Sequence, residues 1–415
     1  MKISSQIVLF LVSIIFINCS SSDEMDEIRI VDFILQCNRM SYIADIDETA
    51  KTICINDLTD DKLITSVKYR LSEGTRISPL PEDIEEWKDG QKFVVTGKSG
   101  QTVEYTLMLP QMGEKPTETS KVVIGYLPLY SKDFDVRLDE LNWELLTHVN
   151  VSFVHVKSDG TLNTGMVNES KLNRVCSIAR KHGVKVLISI NKNSDKSFAD
   201  AIGDKERRNK LVRNIVNFTR EKKLDGFDID YEDYNNWDKT SLVAFAKALY
   251  EAKDRDMLMT CAVVCWLDYT TEWHRYFDYI NIMSYDYVLP SSKEPGQPAP
   301  YNLFVRDLKY WMNKEAPKFK IVGGLPFCGY SWDKDLKPAL SFNEILNHFS
   351  KTHDIESVAD GDNINETYYN GRNTIRKKCK YIMDNDFGGV MIWQLFQDAY
   401  DREHSLIKVI EEEMR

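Results

Sequence analysis

The chain has 415 residues, 43% of them hydrophobic and 28% charged, which is globular material for one large domain and a small one. Its 64 acidic against 53 basic residues leave a net charge of -11, which excludes the wrapping of nucleic acid, because neutralising phosphates takes a dense Lys/Arg surface. A neutral or weakly charged partner suits such a surface better.

At the N-terminus, Lys2 precedes the apolar run Ile7 to Ile17, followed by Asn18, Cys19 and three serines. The run falls short of the ~20 residues that a bilayer crossing needs, so residues 1–18 read as a secretion signal. Phe16-Ile17-Asn18-Cys19 resembles a bacterial lipoprotein cleavage site, which implies that Cys19 is lipidated and begins the mature chain. Residues 19–27, with Asp23, Glu24, Asp26 and Glu27, are similar to the acidic tethers of lipoproteins displayed on Gram-negative cells. The implied location is the outer membrane, facing outwards, with membrane contact through the lipid only; a periplasmic or secreted protein is the alternative. Of the 8 cysteines, those after Cys19 show no CxxC pair and no zinc-ligand spacing with histidine, so no metal site is expected. Most read as buried thiols; whether Cys37 and Cys54 form a bridge is left open.

Residues 28–112 carry short strand-like runs, Ile28 to Leu35, Thr52 to Ile55, Ile64 to Tyr69, Lys92 to Thr96 and Val103 to Leu109, with turn signals at Asp89-Gly90 and Ser99-Gly100. This predicts a small all-β sandwich. Ser78-Pro79-Leu80-Pro81, Phe93 to Thr96, Gly100 and Tyr105-Thr106-Leu107 resemble immunoglobulin-like modules of bacterial surface lipoproteins, which implies a spacer. Trp87 and a few tyrosines are the groups that could otherwise stack on sugar. A polar linker follows at 113–120.

From residue 121 to 415 the pattern becomes apolar runs alternating with helical stretches, the mark of βα units around a parallel sheet. The runs are Val122 to Leu127, His148 to Val154, Val184 to Ile190, Leu224 to Glu232, Met257 to Val264, Tyr279 to Tyr285, Lys320 to Phe327 and Gly389 to Leu395. Their number fits an α/β fold closed as a (β/α)8 barrel. An open dinucleotide-binding sheet would need a Gly-rich loop after its first strand, which the sequence lacks.

The fourth run reads Leu224-Asp225-Gly226-Phe227-Asp228-Ile229-Asp230-Tyr231-Glu232. Alternation along a strand puts Asp228, Asp230 and Glu232 on one face and the bulky apolar residues on the other. Packing of the apolar face under helices turns the acidic row into the barrel, with Glu232 nearest the C-terminal mouth where active sites of this fold lie. Crowded carboxylates raise one another's pKa, so at least one should keep a proton near neutral pH, as a general acid must.

Asp225, Asp228, Asp230 and Glu232 match the DxxDxDxE signature of glycoside hydrolase family 18, the chitinases and endo-β-N-acetylglucosaminidases. Thr147 to Phe153, Met283 to Asp286, Gly324 to Trp332 and Gly389 to Trp393 resemble that family's second, sixth, seventh and eighth strands. Asp230 and Glu232 rise from one strand about 7 Å apart at Cα, so Asp230 is badly placed to attack from the opposite face of a sugar. The resemblance supplies another nucleophile, the substrate's own 2-acetamido oxygen. It implies that Glu232 is the acid, that Asp230 orients the acetamido nitrogen with support from Asp228, that Tyr285 bonds the acetamido carbonyl, and that Trp393 floors the distorted sugar.

Tyr126, Trp266 and Trp332 stand at strand ends, where aromatic rings would stack on pyranoses. Met283 and Asp286 point to chitin-type oligosaccharides, since the family's N-glycan-trimming members more often carry Gln before the tyrosine. The expected partner is an N-acetylglucosamine-containing glycan, the expected reaction retaining hydrolysis of its β-1,4 bonds without a cofactor, and the expected state a monomer. Action on N-glycans is the alternative, and a non-catalytic lectin the alternative of another class. Two departures stand out: Ser189-Ile190-Asn191-Lys192 replaces the family's Ser-x-Gly-Gly, and the stretch between Trp332 and Gly388 looks too poor in strands for the α+β insertion of many relatives. A shallow, open groove is the expectation.

Overall fold

The computed structural model describes residues 28–37, 40–55, 64–109, 121–254 and 256–415. The secretion signal, Cys19, the acidic tether and the linker lie outside them. The chain divides into two compact units, Met1–Glu114 and Lys115–Arg415. No helix among the described residues is long and apolar enough to cross a membrane.

The first unit is all β. One antiparallel sheet runs in the order Met40–Ile43, Ile30–Cys37, Ile64–Leu71, and a second, mixed sheet in the order Asp45–Asp47, Thr52–Cys54, Thr102–Met108, Lys92–Thr96, Arg76–Ser78, with Thr52–Cys54 parallel to Thr102–Met108. Alternating residues of both sheets meet in one core containing Phe33, Phe93, Tyr105 and Leu107, the arrangement of a two-layer sandwich. Trp87 packs edge-on to Phe33, with ring centroids 6.0 Å apart, and is buried, so it offers no surface to a sugar. Cys54 is a free buried thiol, and the side chain of Cys37 lies outside the described residues. The edge strands 40–43, 45–47 and 76–78 were not evident in the sequence because three or four residues carry too little alternation to read.

The second unit is a barrel of parallel strands, β1 (Val122–Pro128), β2 (His148–Val156), β3 (Lys185–Lys192), β4 (Gly226–Asp230), β5 (Leu258–Val263), β6 (Tyr279–Ile282), β7 (Ile321–Pro326) and β8 (Gly389–Trp393). Neighbours in sequence are neighbours in the sheet, and β8 returns to β1 with Gly389 opposite Val122, so the sheet closes. Helices cover the outside. The helix before β4, Lys205–Glu221, buries Leu211, Val212, Ile215 and Val216 at helical spacing, and Asp204 caps it by accepting the Arg207 N–H. Phe227 and Ile229 point outwards into that helical layer and are fully buried.

Between β7 and β8 the structure overturns the expectation of a missing insertion. Strands Cys328–Ser331, Ala339–Ser341, Asn363–Ile364 and Thr367–Tyr368 form a small antiparallel sheet, accompanied by helices Phe342–Phe349 and Ile355–Asp360. Its strands are two to four residues long, too brief for a sequence pattern, yet the first follows β7 directly and sets one flank of the barrel mouth.

Candidate active site

β4 carries the acidic row. Its first aspartate, Asp225, sits before the strand and accepts the Val186 N–H at 2.9 Å and the Lys185 ammonium at 3.1 Å, so it ties β4 to β3 and takes no part in the mouth. Asp228 is fully buried and saturated with donors: Tyr126 at 2.7 Å and Ser189 at 2.8 Å on Oδ2, Thr260 at 2.6 Å and Asn281 at 3.3 Å on Oδ1. Those donors come from β1, β3, β5 and β6. Burial pushes the Asp228 carboxyl up, while the four hydrogen bonds oppose that shift by favouring the ionised form.

Asp230 lies one step nearer the mouth, 3% exposed. Its Oδ2 accepts from Asn191 Nδ2 at 2.8 Å, and its Oδ1 is buried without a protein donor. Burial, then the Glu232 and Asp228 charges, hold its pKa well above the ordinary carboxylate range. Glu232, just past the strand and half-buried, is pushed up chiefly by burial, with Asp286 and Asp233 adding to the shift and Asn191 and Lys192 opposing it. The two carboxyls are coupled, each held above its ordinary range, so their protons come off as those of a pair.

The other expected residues divide. Tyr126, Tyr285, Met283 and Trp393 join one cluster inside the barrel, with Tyr126 edge-on to Trp393 at 5.4 Å between centroids. The Tyr285 hydroxyl is buried and donates to the Met391 sulfur at 3.9 Å, and its pKa is raised by burial and by Asp286 and Asp230. Asp286 accepts from Tyr330 at 2.7 Å, which links the small insertion sheet to the site. Trp266 is 51% exposed, with its edge towards Tyr234 and Tyr287. Trp332 is half-buried in the insertion, edge-on to Tyr368 and donating to the Ser292 carbonyl.

Several participants were missed in the sequence: Ser189, Asn191, Thr260, Asn281, Tyr330, and Phe153, which stacks on Trp393 at 5.9 Å. A signal existed for three. Ser189 and Thr260 stand opposite Asp228 in the strand register, and Asn281 lies one strand further on; each is a polar residue interrupting an otherwise apolar run.

Residues 122–398 match the sequence profile of Glycosyl hydrolases family 18. The chain belongs to that family. Among solved structures, the family 18 barrel is similar to a chitinase from Bacteroides thetaiotaomicron, with 51% identity and a TM-score of 0.68 over 71% of this chain and 96% of that one. A "chitinase-like effector" from Moniliophthora roreri is 25% identical over 69% of this chain and 76% of its own length. "Probable chitinase 10" from Drosophila melanogaster is 24% identical over 301 residues, and the match spans 13% of that protein.

Proposed function

We propose that this family 18 chain hydrolyses β-1,4 bonds next to N-acetylglucosamine in chitin-type oligosaccharides, with retention and with the substrate's acetamido group as nucleophile. The observation that carries the reading is the Asp230 carboxyl: one oxygen is held by Asn191 and the other is buried beside Glu232 with no protein donor. An acetamido N–H would satisfy that oxygen, and Asp230, ionised when the proton of the coupled pair sits on Glu232, would stabilise the positive ring that forms when the acetamido oxygen attacks. Glu232, with its raised pKa and position at the mouth, protonates the departing oxygen and then withdraws a proton from the incoming water. Tyr285, just past β6 and two strands along the sheet from β4, offers its hydroxyl, and Trp393 with Tyr126 gives an apolar floor. Similarity to the Bacteroides chitinase at 51% identity supports the substrate class.

The test compares N-acetylglucosamine oligomers, matching cello-oligosaccharides and an N-glycoprotein. The first should be cleaved with β-anomer formed initially, the cello series left intact, and Glu232→Gln should lose about 10²- to 10⁴-fold in turnover with binding retained. Cleavage of the cello series would rule out the acetamido nucleophile; preference for the glycoprotein would move the substrate to N-glycans; binding without any turnover would make the chain a lectin. The sequence around Cys19 supports a lipid-anchored, surface-exposed protein. Cys19→Ala should then release it from the membrane fraction, and unchanged membrane association would remove the anchor.

A further inference from the structure

Asn191 and Lys192, which replace two glycines of the family pattern, close β3 beside the acidic row. Asn191 is 8% exposed. Its Oδ1 accepts the Lys192 backbone N–H at 2.5 Å, and this fixes which way the amide faces. Nδ2 is therefore turned to the carboxylates, where it donates to Asp230 Oδ2 at 2.8 Å and reaches Glu232 Oε2 at 3.4 Å. The amide nitrogen carries two hydrogens, so both contacts are made at once. The Lys192 ammonium meanwhile donates to the Glu232 carbonyl at 3.1 Å and lies 3.7 Å from Asp233 Oδ1. Asp233 is itself locked by the backbone N–H groups of Lys196, Phe198 and Ala199. One dipeptide thus grips both the side chain and the main chain of Glu232, and glycines could do neither.

We propose that Asn191, oriented by the Lys192 backbone, is a positioning residue that ties Glu232 to Asp230, fixing the spacing of the two carboxylates and the pH at which they exchange their protons. The role rests on Glu232 and Asp230 being the working pair. Donation of a hydrogen bond to a carboxylate favours its ionised form, so the amide works against burial and mutual repulsion, which favour the protonated form. The groups facing the pair are Asp228, Asp233 and Tyr234 from β4 and the loop after it, Tyr126 from β1, Lys192 from β3, and Tyr285 and Asp286 beyond β6. Lys192 is the cation in this set and acts in the same direction as the amide.

The experiment is a ¹³C-carboxyl NMR titration of the whole protein, with Glu232→Gln to assign the pair, run on wild type and on Asn191→Leu, which has similar bulk and no donor. The two macroscopic midpoints of the pair should both move to higher pH in Asn191→Leu. In kinetics the alkaline limb should move up in parallel, and kcat should fall roughly 10- to 100-fold with KM little changed, the scale of a misplaced acid. Asn191→Ser, a shorter donor, should recover part of both effects. Asn191→Gly, which fits any backbone, serves if the leucine variant does not fold. Unmoved midpoints in a folded Asn191→Leu or Asn191→Gly protein overturn the proposal even if wild type cleaves its substrate. Moved midpoints with no turnover by wild type uphold it and overturn the hydrolase reading instead.

Discussion

Three carboxylates along one strand are an electrostatic liability that the chain meets differently at each step. Asp228 is ringed by four donors, Asp230 has one, and Glu232 trades burial for partial contact with solvent. The sign for stability follows from the direction of the shifts. Asp230 in the folded protein titrates well above its unfolded value, so between those two values the native state binds more protons and stability falls as pH rises. Above both values the penalty is complete. Asp230→Asn removes it, and should raise Tm by roughly 2–4 °C at pH 8, a gain of about 1 kcal/mol in a domain of this size, while turnover drops sharply. Calorimetry across pH 4 to 8 is the check: the gain should shrink towards acid, and a variant less stable than wild type at pH 8 would mean that Asp230 is held as a structural carboxylate.

At the scale of elements, the mouth depends on strands that approach closely. A Cβ on Gly324 of β7 would sit 2.2 Å from the Ile282 carbonyl of β6 and 3.0 Å from the Tyr285 ring. Backbone cannot retreat as a flexible side chain would. Gly324→Ala should therefore cost about 1–3 kcal/mol and push Tyr285 off its position, lowering kcat more than it weakens binding. A thermal scan and steady-state kinetics decide it; a wild-type Tm with wild-type kcat would show that β6 and β7 can part without consequence. The sequence marked Gly324 through its motif, but the reason for glycine there lies in a contact between two strands that local patterning does not encode. The same holds for the insertion sheet, whose strands are too short to read and whose Tyr330 nonetheless bonds Asp286. The insertion sheet therefore gives the mouth a flank that the strand pattern did not show.

Across the whole molecule, the features read correctly are those with strong periodicity. Eight apolar runs became eight strands to within a few residues, because strands covered on both faces are continuous in hydrophobicity. Asp228, Asp230 and Glu232 were legible because acids at a two-residue period inside such a run must share one face of the strand, and that face can only be the barrel interior. Asn191 was legible only as a departure, since its meaning is a hydrogen bond across the β3–β4 boundary. The two units also differ in what they contribute to the chemistry. The buried residues of the barrel clusters run from Val122 to Met414, and those of the sandwich from Ile30 to Leu109. The barrel therefore completes its own core, closes its own sheet, and supplies each carboxylate and donor described at the acidic row. A chain trimmed to residues 121–415 should fold cooperatively and cleave soluble oligosaccharides with kcat within about threefold of the full protein, because a separate core makes a separate folding unit. Circular dichroism would establish folding, and the kinetics would be compared on the same oligomer. A well-folded trimmed barrel that had lost turnover would assign the sandwich a part in the cleft, and would replace the spacer role with a substrate-holding one.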